Sequence, residues 1–316
     1  MTAPADLAAL PKCEVHVHIE GTVRPATLEE FAARAGVGIP RSFTDLTGFI
    51  LVYDAAWRTM THPGDYARLV REYCEDAVLQ GIRYAEIELA PIGRTYNHVA
   101  EAVEEAAKHR DLVVRFTVGN VRAFPMEVAW AMLEAVKGIP EFIAFGLGGN
   151  ERDYPPELFR EVFAEARNRG LRSVPHAGED AGPESVRGAI DALGAERIQH
   201  GVRSVEDPAL LAEIAAKGIP LAVCPTSNVM LGVCNAIDEH PLRALWDAGV
   251  LVSVNTDDPG FFGCDLTGEY AIAGGLLGLD RDGYARLARN SVDSSFAPEA
   301  LKESLRREID GWAKRD

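Results

Sequence analysis

Along the second half of the chain, apolar and polar positions repeat in one pattern: an amphipathic helix opens with Pro, closes with Gly and runs at once into a short apolar strand. The first unit spans 155–170, with Leu158, Phe159, Val162, Phe163 and Ala166 at helical spacing, and leads into a strand at 171–175. Pro suits a first helical turn, where its missing N–H costs nothing, and Gly accepts the left-handed conformation that ends a helix. The pattern recurs three times: 183–194 leads into a strand at 197–201, 208–218 into 219–224, and 241–249 into 250–255. Strands separated by single helices pair in parallel through right-handed crossovers.

Further apolar strands read at 13–18, 84–89, 112–118 and 142–147, with a helix at 99–108, which makes eight strands in all. Eight such units favour a closed (β/α)8 barrel of the TIM type over an open, doubly wound sheet. The stretch from about 25 to 79 is too long for one crossover helix. It reads as two or three helices inserted after the first strand, capping the barrel mouth. Within it Phe49, Tyr53 and Trp57 fall at i, i+4 and i+8, on one helical face that either packs on the rim or lines a pocket for an aromatic ligand. With no linker or low-complexity segment, residues 1–316 read as one barrel domain carrying this helical lid.

Composition narrows the partners. With 47% apolar and 25% charged residues the chain can bury a sizeable core, and its formal net charge of −16 opposes phosphate backbones and anionic membranes. No nucleic-acid or membrane partner is expected, and no leader or apolar span is evident, so the expected compartment is the cytoplasm. The partner expected is a small molecule, and no feature indicates an oligomeric state. The five cysteines form no C-x-x-C and point to neither disulfides nor a cysteine metal site.

The chemistry collects at strand ends. His16 and His18 lie two apart at the end of the first strand, so both imidazoles can face the barrel interior. Other strands end in His176, in His200 and in the pair Asp257-Asp258. The C-terminal ends of barrel strands are where such folds build active sites. Three imidazoles and a carboxylate around an open position suit a catalytic zinc, whose bound water has a pKa of about 7. No middle strand ends in a lysine that could bridge a second metal, so one zinc per chain is expected. His62, His98, His109 and His240 read as surface or capping residues.

Five segments in order, Pro11 to Gly21, His176-Ala177-Gly178-Glu179, His200-Gly201, Cys224-Pro225-Thr226-Ser227-Asn228 and Asn255-Thr256-Asp257-Asp258-Pro259, closely resemble the adenosine deaminase family of the amidohydrolase superfamily. The resemblance implies that His16, His18, His176 and Asp257 bind zinc, and that Glu179 handles the proton at purine N1. It further implies that His200 orients the hydroxide, that Asp258 bonds N7, and that the Gly149 backbone amide meets N3. These roles make physical sense. Attack at C6 drives charge onto N1, which requires an acid there, and burial would keep Glu179 protonated for the task. Asp257 can both ligate the metal and take the hydroxide proton. The segment 224–228 reads as shaping its loop rather than touching substrate.

Two positions depart from the family pattern. Glu20 stands where adenosine-specific members carry an Asp placed to bond a ribose hydroxyl, whereas members acting on adenine or on larger N9-substituted 6-aminopurines often have Glu. Gln199 stands where Gly is usual. The first expectation is hydrolytic deamination of adenosine or a related 6-aminopurine nucleoside, with adenine or aminodeoxyfutalosine as the alternative substrate. A different amidohydrolase reaction is disfavoured because lactone or phosphotriester hydrolysis needs no acid at a ring nitrogen. A non-catalytic binding module is disfavoured because no ligand or proton donor has been lost.

Overall fold

The computed structural model describes residues 3–40, 42–91 and 98–315. Eight parallel strands in sequential order form a nearly closed barrel: β1 (Lys12–His18), β2 (Ile82–Leu89), β3 (Val113–Val121), β4 (Phe142–Gly148), β5 (Arg172–Ala177), β6 (Ile198–His200), β7 (Leu221–Val223) and β8 (Val252–Val254). The seam between the last and first strands is made past the end of β8. There Asp257 O accepts from His18 N at 2.9 Å and Asp257 N donates to His16 O at 3.1 Å. The two chain segments richest in expected ligands are therefore hydrogen-bonded to each other.

The last three strands are shorter than the apolar runs that encode them. His200 and Asp257 are non-glycine residues with φ of 61° and 65°, and Gly201 follows His200 at 71°. A left-handed residue turns the chain out of the ladder, so β6 stops at His200 rather than at 201. Holding a non-glycine residue there costs about 1–3 kcal/mol and is typical of functional sites.

The helices follow the Pro and Gly signals. Crossovers α5 (Met126–Ala135), α6 (Arg160–Asn168), α7 (Pro183–Leu193), α8 (Pro208–Lys217) and α10 (Leu242–Asp247) lie between strands, and α7 and α8 end on left-handed Gly194 and Gly218. The helix expected at 155–170 begins as a 3-10 turn, Pro156–Phe159, before becoming α6. A short helix, α9 (Pro225–Met230), follows β7 directly, and α11 (Pro259–Phe262) follows the Asp257-Asp258 pair. Three closing helices, α12 (Leu266–Leu277), α13 (Arg281–Ser294) and α14 (Glu299–Ala313), complete the wall, with α13 packed on β1 and β8. No helix among the described residues is long and apolar enough to cross a membrane.

Between β1 and β2 stand three helices, α1 (Pro25–Ala35), α2 (Leu46–Trp57) and α3 (Asp65–Leu79), and α4 (Val99–Ala106) follows β2. Phe49 of α2 packs with Leu231 and Phe262 in a small apolar cluster separate from the main core. Phe49, Tyr53 and Trp57 also line the cavity at the barrel mouth, so that helical face both packs at the rim and borders a pocket.

Candidate metal centre and active site

At the C-terminal mouth, His16 Nε2 lies 3.1 Å from His176 Nε2 and 3.3 Å from Asp257 Oδ1. His18 Nε2 lies 3.3 Å from His176 Nε2 and 3.2 Å from Asp257 Oδ1. Donor atoms at such separations can share one Zn²⁺, whose bonds to nitrogen and oxygen ligands are about 2.0–2.2 Å long. The imidazoles are also oriented for the task. His16 Nδ1 donates to Ala222 O at 3.0 Å, which leaves the lone pair of Nε2 facing the cluster. Ser227 Oγ donates to Asp257 Oδ2 at 2.7 Å, which leaves Oδ1 for the cluster. The donor set therefore fits a divalent metal.

Burial would raise the Asp257 carboxyl, but the surrounding imidazoles of His16, His18 and His200 outweigh it and hold Asp257 well below the usual carboxylate range. Burial, reinforced by the neighbouring imidazoles, holds His176 well below its ordinary value. Carboxylate and neutral imidazole are the forms that ligate a cation.

The two other acids at the mouth are shifted the opposite way. Burial, with Asp257 and Glu151 nearby, pushes Glu179 well above the carboxylate range, and burial beside Asp257 does the same to Asp258. Both therefore favour the protonated form. Asp258 packs on Gly21, where an added Cβ would come within 1.9 Å of Asp258 Oδ1. That Oδ1 is buried with no hydrogen-bond partner among the described residues and lies on the cavity wall.

The loop carrying Glu179 is held from the β4 side. The Glu151 carboxylate accepts from the backbone N–H of Gly178 at 2.8 Å and of Glu179 and Asp180 at 2.9 Å each, and from the Ser185 hydroxyl. Charge-assisted bonds of this kind are worth about 1.5–3 kcal/mol each. Gly149, two residues before Glu151, has φ of 91° and borders the cavity. The loop that presents the Gly149 backbone thus also fixes Glu179.

His200 Nε2 lies 3.4 Å from Glu179 Oε1 and 3.8 Å from Asp257 Oδ2, and burial holds the ring down to about 3. Its Nδ1 meets Asn228, and Asn228 meets His240. The segment 224–228 therefore does more than shape its loop: Ser227 and Asn228 on α9 reach Asp257 and His200. His240 is not a surface residue but is buried behind the site, and His98 is also buried, stacked 5.3 Å from Tyr66. His62 is exposed and His109 half-buried, both away from the cavity.

Glu20 is buried, with Oε2 accepting from Tyr53 OH at 2.8 Å and Oε1 from Tyr66 OH at 2.9 Å. The extra methylene relative to Asp is thus spent reaching two tyrosines of the lid. Gln199 fills the barrel below the centre, its Nε2 donating to Val15 O at 3.2 Å. One residue escapes the sequence reading altogether. Glu88, at the end of β2, is a buried carboxylate 3.8 Å from His18 Nδ1, in a cradle where a Cβ on Gly119 or Gly146 would come within 2.9 Å of it. Burial, with Asp257 and Glu20 nearby, raises it to about 7, although His18 opposes the rise. The signal was present in Glu86-Ile87-Glu88: two carboxylates on one face of a mainly apolar strand need buried partners.

The cavity over the centre has a volume of about 350 Å³. Its floor carries His18, Glu88, His176, Glu179, His200, Asp257 and Asp258, and its upper wall is built from Leu46, Phe49, Ile50, Leu51 and Trp57 of α2, with Phe124 and Leu231.

Comparison with known proteins matches residues 11–312 to the adenosine deaminase family model. The aminodeoxyfutalosine deaminase of Streptomyces avermitilis is 40% identical over 97% of this chain and 92% of its own length. The adenine deaminase of Cupriavidus necator is 36% identical over 98% of this chain and 95% of its own. Among solved structures, adenine deaminase from Arthrobacter aurescens is 31% identical, with a TM-score of 0.91 over 97% of this chain and 100% of that one. An amidohydrolase from Burkholderia ambifaria with bound zinc is 26% identical, with a TM-score of 0.87 over 99% of this chain and 95% of that one. With a match running almost end to end and a His and Asp cluster at the strand ends that could hold a metal ion, the chain belongs to the adenosine deaminase family and is a metal-dependent deaminase of the amidohydrolase superfamily.

Proposed function

We propose that the protein uses one zinc ion to hydrolyse the exocyclic 6-amino group of a 6-aminopurine bearing a large N9 substituent, of the aminodeoxyfutalosine class. His16, His18, His176 and Asp257 would hold the metal, which when bound supplies water activated for attack near neutral pH. The remaining chemistry belongs to the chain. Glu179 in its acid form delivers a proton to N1 as water adds to C6, so that charge never builds on the ring. Asp258, also protonated, donates to N7, and the backbone N–H of Gly149 meets N3. His200 faces the attacking water, and Asp257 takes the proton that water loses. Asp257 passes its proton to the 6-amino group as the C6–N bond breaks, ammonia leaves, and the hydroxyl proton returns to Glu179 as the 6-oxopurine forms.

The observation that carries the reaction is the pair of buried acids, Glu179 and Asp258, both held towards their protonated forms beside a cluster that fits a metal. A reaction at a ring flanked by two basic nitrogens needs just such a pair. For the substrate, the support lies in the cavity, which continues from the strand ends to an apolar mouth where Ile50 is 39% and Leu51 64% exposed. Free adenine would occupy only the inner part. An N9 substituent gives the outer wall something to cover, and Glu20, held by two tyrosines, retains lone pairs for a hydroxyl.

Adenosine thus yields its place as first candidate, since the relatives above are named for other 6-aminopurines. Adenine is the second reading, favoured by the Cupriavidus and Arthrobacter proteins. The test is an ultraviolet deamination assay of aminodeoxyfutalosine, adenine and adenosine on the zinc-loaded protein. The expected result is a kcat/KM for aminodeoxyfutalosine at least about tenfold above both others, the scale on which apolar pocket contacts discriminate. Preference for adenine would install the second reading, and inactivity on all three would overturn the purine assignment.

A further inference from the structure

We propose that Asn228 and His240 are positioning residues that hold His200 in one neutral tautomer, with its proton on Nε2, so that His200 donates a hydrogen bond to the attacking water instead of acting as a base. Three hydrogen bonds in series fix the tautomer. At the far end, the backbone N–H of Leu242 points at His240 Nδ1 from 3.0 Å. A backbone amide can only donate, so Nδ1 is the bare nitrogen and the proton of neutral His240 sits on Nε2. That Nε2–H lies 3.0 Å from Asn228 Oδ1.

The carboxamide then transmits the choice. With Oδ1 committed to His240, Asn228 presents its Nδ2 to His200 Nδ1 at 3.1 Å. Nδ2 can only donate, so His200 Nδ1 accepts and the proton is left on Nε2. Rotating the amide to the opposite sense would set its NH2 group against the Nε2–H of His240, two donors face to face. Side-chain amide orientation is assigned from the network, and here a backbone N–H anchors it.

All three side chains are buried, so water cannot stand in for a lost partner. Burial also holds His240 down to about 4, which keeps that ring neutral near pH 7. The buried Nε2 of His200 has no hydrogen-bond partner among the described residues and faces the centre between Glu179 and Asp257. A preorganised N–H at that point stabilises charge developing on the attacking oxygen without reorganising as the reaction proceeds. The role of that N–H rests on the proposed deamination. The tautomer itself does not.

The test is long-range ¹H–¹⁵N NMR on the zinc-loaded protein with ¹⁵N-labelled histidine, the His200 signals being assigned by their loss in His200→Gln. The expected spectrum shows a bare Nδ1 and a protonated Nε2 on His200. A protonated Nδ1, or both nitrogens protonated near neutral pH, would overturn the proposal even if every candidate substrate were turned over. Asn228→Asp supplies the second arm, because a carboxylate can only accept. The His200 proton should move to Nδ1, and kcat should fall by about 10²–10³-fold, the usual loss of a transition-state donor, with KM within about threefold and zinc retained. His240→Gln keeps a donor for Asn228 and should stay within about tenfold of wild type, whereas His240→Leu should not. An Asn228→Asp protein with an unmoved tautomer and unchanged kcat would refute the relay.

Discussion

The floor and the mouth of the cavity are built on opposite plans. On the floor, polar groups are fixed by polar neighbours from behind: Ser227 on Asp257, Glu151 on the Glu179 loop, Asn228 on His200 and the Ala222 carbonyl on His16. At the mouth, α2 offers mainly apolar side chains, several of them part exposed. A floor so constrained performs one reaction, because its charges and protons cannot be rearranged one at a time. A mouth held by apolar contact can change its residues without touching the reaction. The contrast explains how one family can serve several 6-aminopurines.

Substitutions on the floor and at the mouth should differ in both the size and the kind of their effects. His176→Ala should remove a metal ligand and uncouple the cluster, taking zinc stoichiometry and ammonia release to background. A variant that kept both would place the centre elsewhere. At the mouth, Leu51→Ser or Phe124→Ser should leave kcat within about twofold and raise KM for an N9-substituted substrate by about tenfold, with little change for adenine. Equal losses on both substrates would mean that the mouth supports the floor.

The smallest effect concerns stability. Burial lowers His240 from 6.5 to about 4. The unfolded chain therefore binds a proton that the native fold refuses, and stability falls as pH drops from about 6.5 towards 4, by up to about 3 kcal/mol from this group. His240→Gln should flatten that part of the curve in chemical denaturation, and an unchanged slope would remove His240 from the acid response.

What could be read from the chain divides along the same line. Barrel strands and crossovers were legible because Pro and Gly punctuate them, and the His and Asp cluster was legible because these residues crowd the strand ends. His240 was not, because twelve residues of chain and a short helix separate it from Asn228, and only the folded packing brings them together. The Glu86-Ile87-Glu88 pattern marked buried carboxylates, but not where Glu88 would sit, because its cradle is made by glycines on two other strands. The shortened β6 could not be foreseen either, since the left-handed turn at His200 is imposed by the site rather than by residue preference. Glu20 marked a departure at once, but its tyrosine partners come from two lid helices whose placement the chain alone does not dictate.

Glu179 is where floor and reaction meet, so the most direct test is ammonia release by Glu179→Gln, measured alongside zinc content and substrate binding. The amide keeps the shape but cannot deliver a proton to N1. Full zinc, binding within a few-fold of wild type and a kcat lower by about 10²–10⁴-fold are expected. Wild-type turnover by a zinc-loaded Glu179→Gln protein would contradict proton delivery by Glu179.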